Sequence, residues 1–292
     1  MANRQPGKSK KLDPSHSPRA LYGAELRFRR EQVGLSQAEL GTRLFLSGSY
    51  VAYIERGDKR VPADCAEKLD EILKTDGFFV RNLAAARATP HPEHFAEAAE
   101  LETFAVSIRE WEPLLVPGLL QTEAYAVAVI RGYDPVLPAE PVKERVAARM
   151  FRAGIFHRAD KPLYWSVLNE AALRCPVGGR AVMAEQLRHV AAMVRRNRII
   201  IQVLPFSAGA HAGMNGALKL MTFEDDTPMA YLPGMTTGAL IDDPAAVKRY
   251  TLAYDLLGAA ALSPEASLNL IEAVAEEYEH GSQAQPNGGD LA

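Results

Sequence analysis

Residues 26–62 read LRFRREQVGLSQAELGTRLFLSGSYVAYIERGDKRVP, and the fold of the N-terminal region turns on them. Leu26 and Val33 lie two helical turns apart and can face a common core. Gly34 can close that helix by taking the left-handed backbone that other residues avoid. Ser36 then stands as an N-cap with Glu39 three residues on, the spacing of a capping box. Leu40 and Leu44 follow at helical spacing. Phe45, Leu46 and Ser47 form a three-residue break, and Ser47 can cap a second short helix. In that helix Val51 and Ile54 give an inner face, and Gly57 stops it.

Two short helices joined by a three- to four-residue turn have the spacing of a helix-turn-helix, whose second helix enters the major groove of DNA. The outward residues Ser47, Gly48, Ser49, Tyr50 and Tyr53 are then the candidates for base and backbone contact. Gln37 opens the preceding helix, where it can hold a phosphate or brace a base contact. Lys59 and Arg60 follow the second helix and suit backbone phosphates.

The pieces GLSQAEL and IERG, followed by basic residues and Pro62, resemble the Xre/Cro family of helix-turn-helix domains. That resemblance implies a five-helix domain over roughly residues 20–75. It also implies a structural brace, Arg30 to Glu55, between the first helix and the recognition helix. Two positions depart from the family pattern. Phe45 stands where glycine is usual in the turn, and a left-handed backbone there would cost about 1–2 kcal/mol. Gly48 stands where a long polar residue is usual, and it offers no side chain to a base.

Charge is distributed unevenly around this element. The 292 residues carry a net charge of -3, but residues 1–60 hold 12 Lys+Arg against 6 Asp+Glu, leaving 21 against 30 in the rest. A basic end on an acidic body suits a chain that faces phosphate at one end. Residues 1–18, rich in Pro, Ser and Lys, read as a disordered tail that contributes part of that charge. The helix-turn-helix domain covers residues 19–88. Residues 89–96 form a linker around Thr89-Pro90-His91-Pro92, an α+β domain follows over 97–280, and 281–292 is a flexible tail.

The chain therefore reads as multidomain, with an all-α N-terminal domain and an α+β C-terminal domain. A helix is expected over 93–108, an edge strand and turn over 111–120, and helices over 122–131 and 141–157. A strand over 163–168 precedes a long helix over 178–197 and a strand over 199–204. Further strands are expected at 218–223, 230–232 and 239–241, then helices over 244–257 and 264–278. The stretches WEPLLVPGLLQTEAYA, IIIQVLPFSAGAHAGMNGALKLMTF and ALSPEASLNLI resemble the C-terminal domain of antitoxin-like Xre-type regulators of actinomycetes. The resemblance implies a small protein partner, often encoded nearby.

Catalytic and metal-binding patterns are weak. His91 and His94 flank Pro92, and proline opposes the helix that would align them on a metal. His211 lies in a Gly/Ala loop, where a loop hydrogen bond or a ligand contact could use it. Trp111 and Leu115 belong to an apolar stretch that could pack in the core or receive a partner. Ser207 and Lys219 could form a self-cleaving pair only if Lys219 were deprotonated. We expect no catalytic residue, metal or cofactor, and no run long enough for a membrane span. Cys65 and Cys175 are isolated, as in a reducing cytoplasm. Double-stranded DNA is the expected partner, bound by a possible homodimer across paired half-sites.

Overall fold

The computed structural model describes residues 14, 17–87, 93–158, 160–224, 226–235 and 237–281. The tails expected at 1–18 and 281–292 and the linker centred on 89–92 lie almost wholly outside these residues, as do the side chains of His91 and His94. The chain divides into two units, Met1–Thr89 and Pro90–Ala292.

The first unit is all helical, with α1 Pro18–Gln32, α2 Gln37–Leu44, α3 Gly48–Glu55, α4 Cys65–Leu73 and α5 Phe78–Arg87. Its boundaries follow local chemistry. The Ser17, Ser36 and Ser47 side chains each accept a hydrogen bond from a backbone N–H of the first turn. At α2 the capping box is complete, because the Glu39 carboxylate also accepts from the Ser36 N–H at 2.7 Å. Gly34 adopts φ +72° just after α1. Leu26, Leu40, Val51, Ile54 and Leu69 close the core with the Tyr22 and Phe79 rings. Val33 is a correction: it is exposed, because α1 ends at Gln32 and turns the chain outward one residue later.

The second unit is built on a six-stranded mixed sheet in the order β3-β2-β1-β4-β5-β6. Its strands are β1 Ser107–Glu112, β2 Leu163–Asn169, β3 Ile200–Leu204, β4 Leu218–Thr222, β5 Met229–Pro233 and β6 Gly238–Ile241. The first three run parallel, and β4 to β6 continue antiparallel. Parallel neighbours need helical crossovers. Helices α7 Glu123–Tyr133 and α8 Ala139–Ala153 lie between β1 and β2. Helices α9 Glu170–Arg174 and α10 Arg180–Arg195 lie between β2 and β3. Helix α6 Glu93–Glu102 precedes β1, and α11 Pro244–Ala260 and α12 Pro264–His280 end the unit.

Residues alternate across the sheet as strand geometry requires. Ile108, Tyr164, Leu168, Ile201 and Met221 face the core that also holds Leu187 of α10 and Ile271 of α12. Trp111, Val167 and Leu220 point the other way, onto Tyr254 and Leu257 of α11. Two expectations change here. The helix over 93–108 stops at Glu102, and β1 takes over from Ser107. The strand expected at 111–120 is central rather than at an edge. It ends before Pro113 and Pro117, so neither proline interrupts the ladder.

Candidate nucleic-acid interface

Helices α2 and α3 are joined through Phe45, which adopts φ 60° and ψ 34°, the left-handed conformation. The residue is 86% exposed, and the Lys68 ammonium lies 5.1 Å from its ring centroid. The turn therefore has the geometry that usually selects glycine, realised with a phenylalanine. Gly48 begins α3 for a steric reason. A Cβ there would meet the Ala38 Cα at 3.0 Å and its backbone N at 3.1 Å. The residue lets α3 approach α2 closely and does not read a base with a side chain.

The interface is fixed from behind by buried charge. Arg30 Nε donates to Glu55 Oε1 at 2.5 Å, and a second guanidinium nitrogen donates to Oε2 at 3.1 Å. A third bond from Arg30 reaches the Leu35 carbonyl at 2.7 Å. The hydrogen bond to Glu55, working against burial, holds the Arg30 guanidinium above its usual pKa. Gln37 is half-buried and donates to Glu55 Oε2 at 2.8 Å. This residue is thus committed to orienting α3 in the free protein, and its amide is not turned outward toward phosphate.

Other site candidates separate by exposure. Ser47 and Ser49 are exposed, and Ser47 caps α3 by accepting from the Tyr50 N–H at 3.0 Å. Tyr50 and Tyr53 are half-buried. The Lys59 ammonium sits 4.8 Å and 4.9 Å from their ring centroids, and Tyr50 Oη donates to the Arg60 carbonyl at 3.2 Å. Lys59 and Arg60 require correction as phosphate contacts. They are only 4% and 5% exposed, drawn inward in this corner of the unit. Arg56 was missed. It is exposed, pairs with Asp58 at 2.7 Å and lies 4.7 Å from the Tyr53 ring centroid. Its place at the end of α3, just before Gly57, was the available signal, since a cation there suits both the helix dipole and a phosphate.

Candidates in the second unit also move. Trp111 is fully buried, donates from Nε1 to the Gly213 carbonyl at 3.0 Å and cannot face a partner. His211 packs edge-on against Trp111, with ring centroids 5.1 Å apart, and its Nδ1 accepts from the Gly213 N–H at 3.2 Å. It braces the loop. Leu115 lines a cavity of about 580 Å³. Lys219 lies in the same wall, buried between Glu102 and Glu110. Burial acts to lower its pKa, but the two carboxylates prevail and raise it. A protonated Lys219 is not the base that a Ser207 nucleophile would require.

Residues 21–78 match the family described as Helix-turn-helix domain, which supports DNA binding by the first unit. No curated protein and no solved structure matches the chain. No helix among the described residues is long and apolar enough to cross a membrane. Residues 95–273, more than half of the chain, match the family described as Domain of unknown function (DUF5753), and the chain belongs to that family.

Proposed function

We propose that the chain is a sequence-specific transcriptional regulator of the Xre type. Helix α3 enters the major groove, and the second unit receives a signal from a small molecule or a small protein encoded nearby. What carries this reading is the pair of capped helices α2 and α3, with Glu55 of α3 held by Gln37 of α2 and Arg30 of α1 and Ser49 left exposed, inside a segment that matches a helix-turn-helix. A cytoplasmic homodimer reading paired half-sites completes the proposal, and it assigns the chain no catalytic role. The test is fluorescence anisotropy of the full chain on DNA from upstream of its own gene, across a salt series and with excess random DNA. Specific binding that falls steeply with salt and weakens by about 1–3 kcal/mol in Ser49→Ala supports the reading. Binding no tighter than to random DNA sinks it.

A second reading draws on the bare Gly48 and the inward Lys59 and Arg60, which leave fewer side chains for DNA. Here the chain acts as an antitoxin-like protein that sequesters a small partner, with DNA binding secondary. A stable one-to-one complex with the product of an adjacent short gene, formed by a chain that does not discriminate DNA sequence, would select it.

A further inference from the structure

One face of the sheet carries charge where strand alternation would place core. Glu110 and Glu112 are two apart on β1, and Lys219 is the register partner of Glu110 on β4. Lys219 Nζ lies 2.9 Å from Glu110 Oε1 and also pairs with Glu102. Arg152 donates to both Glu102 oxygens, at 2.8 Å and 3.2 Å, and Tyr164 Oη donates to Glu110 at 2.6 Å. Two acids and two bases thus neutralise each other in the interior. Such a network is generally no more stabilising than apolar residues of the same volume, so its presence beside a cavity points to use.

The cavity wall is not balanced in the same way. Arg145, Arg149 and Arg152 fall at i, i+4 and i+7 on α8, and all three line it. Arg152 is committed to Glu102. Arg149 instead donates to the Gln121 side-chain carbonyl at 2.7 Å, and the Gln121 amide donates to the Val116 carbonyl at 2.7 Å. A neutral amide therefore holds this guanidinium in place without cancelling its charge. Among the described residues Arg145 has no ion pair. Gly118 lies alongside, and a Cβ there would come within 3.9 Å of Arg149 Nε and 3.7 Å of an Arg152 nitrogen. The rest of the lining is largely apolar, with Leu115, Val116, Val129, Ile130 and Phe95, whose ring lies 4.4 Å from the Arg152 guanidinium. Tyr133 and Met235, which also line the cavity, are joined by a 2.9 Å hydrogen bond from Tyr133 Oη to the Met235 carbonyl.

We propose that this cavity binds a small amphipathic anion, with a carboxylate or phosphate group on Arg149 and Arg145 and an aliphatic or aromatic body against the apolar wall. About 580 Å³ lies within the usual range of ligand sites, roughly 300–1,000 Å³. Planar guanidinium groups suit both kinds of oxyanion, and a pre-positioned one loses little freedom on binding. Burial, followed by repulsion from Glu110, raises the Glu112 carboxyl to about 8. The shift favours its protonated form and so lessens its opposition to an anion. The inference gives the signal-receiving unit a ligand class. It relies on the proposed regulatory role only for its purpose, because every residue it uses lies in the second unit.

The test is isothermal titration of the full chain at pH 7, without DNA, using octanoate, octyl phosphate and octanol. One site that takes either anion about tenfold or more tighter than octanol is expected, and the stronger of the two anions identifies the headgroup. Arg145→Met should weaken the anions by about fivefold or more while leaving octanol and the melting temperature unchanged. Arg149→Met should act in the same direction. Equal binding of octanol and the anions, binding by none of the three at millimolar concentration, or an Arg145→Met variant with unaltered anion affinity would overturn the proposal. DNA binding is measured separately, so its failure leaves this result standing and the reverse also holds.

Discussion

Arg30 and Glu55 are 25 positions apart in sequence, and they join α1 to α3 through two hydrogen bonds at 8% and 1% exposure. A buried pair broken on one side leaves an uncompensated charge, a loss of roughly 3–5 kcal/mol, whereas replacing both with apolar residues often loses far less. Arg30→Met and Glu55→Met should each destabilise the first unit strongly, and the double variant should lose less than the two added together. Both tryptophans, Trp111 and Trp165, lie in the second unit, so their fluorescence does not follow this change. Amide hydrogen exchange in α3 does. Additive single and double effects would show that the pair is not coupled.

Phe45 leads to an opposite expectation. Its left-handed backbone carries a penalty of about 1–2 kcal/mol, and the exposed ring recovers little beyond the Lys68 contact, about 0.5–1 kcal/mol at such a site. Phe45→Gly should stabilise the first unit by about 0.5–1 kcal/mol. Phe45→Ala, which loses the ring and keeps the strained backbone, should not. Exchange rates in α2 distinguish the two, and equal effects from both variants would refute the strain argument.

The first unit was legible because its signals are local. Caps at Ser36 and Ser47, stops at Gly34 and Gly57 and the 40, 44, 51, 54 apolar spacing each act within one or two helical turns. Side-chain direction at the ends was not legible. Lys59 and Arg60 sit just past α3, where only the three-dimensional path of the chain decides whether a cation turns out or in. In the second unit β3 could be read from its β-branched run and β2 from its short apolar and aromatic run. Strand β1 could not, because Arg109, Glu110 and Glu112 make it look like polar surface. Glu110 is held inside by Lys219 and Tyr164, and Arg109 pairs with Asp255 of α11, partners that arrive from elements distant in sequence. The cavity cations did carry a sequence signal, the i, i+4, i+7 arginines of α8, but a basic helical face reads equally well as solvated surface.

The exposures separate two cations that sequence alone would treat alike. Arg56 is exposed beside Tyr53, whereas Lys59 is buried against Tyr50 and Tyr53. Arg56→Ala should weaken DNA binding uniformly across sequences and lower the slope of log affinity against log salt by about one. Lys59→Ala should leave that slope unchanged and speed amide exchange in α3. Anisotropy titrations at several salt concentrations supply the slopes, and a lower slope for Lys59→Ala would return that residue to the phosphate-contacting set.

Glu112 makes the stability of the second unit depend on pH. It lies in the cavity with Glu110 on its own strand, Lys219 from β4, Arg145, Arg149 and Arg152 from α8, Tyr231 from β5 and Tyr133 from α7. Burial and then Glu110 raise its carboxyl from 4.5 to about 8, while Lys219 and Arg149 act against the rise. Between those two values the folded unit holds a proton that the unfolded chain has released. Stability from this group is therefore complete below about 4.5 and declines as pH climbs through about 8. Glu112→Gln, which keeps the shape without the titration, should flatten the decline. Above pH 8 it should exceed the native chain by about 1 kcal/mol or more, since one pKa unit corresponds to about 1.4 kcal/mol. Urea unfolding followed by tryptophan fluorescence at a series of pH values measures both chains. Parallel curves would mean that Glu112 is already ionised at neutral pH. Anion binding has the same sign, because an anion beside the carboxyl favours its protonated form. Octanoate affinity in the native chain should therefore fall above pH 8, and in Glu112→Gln it should not.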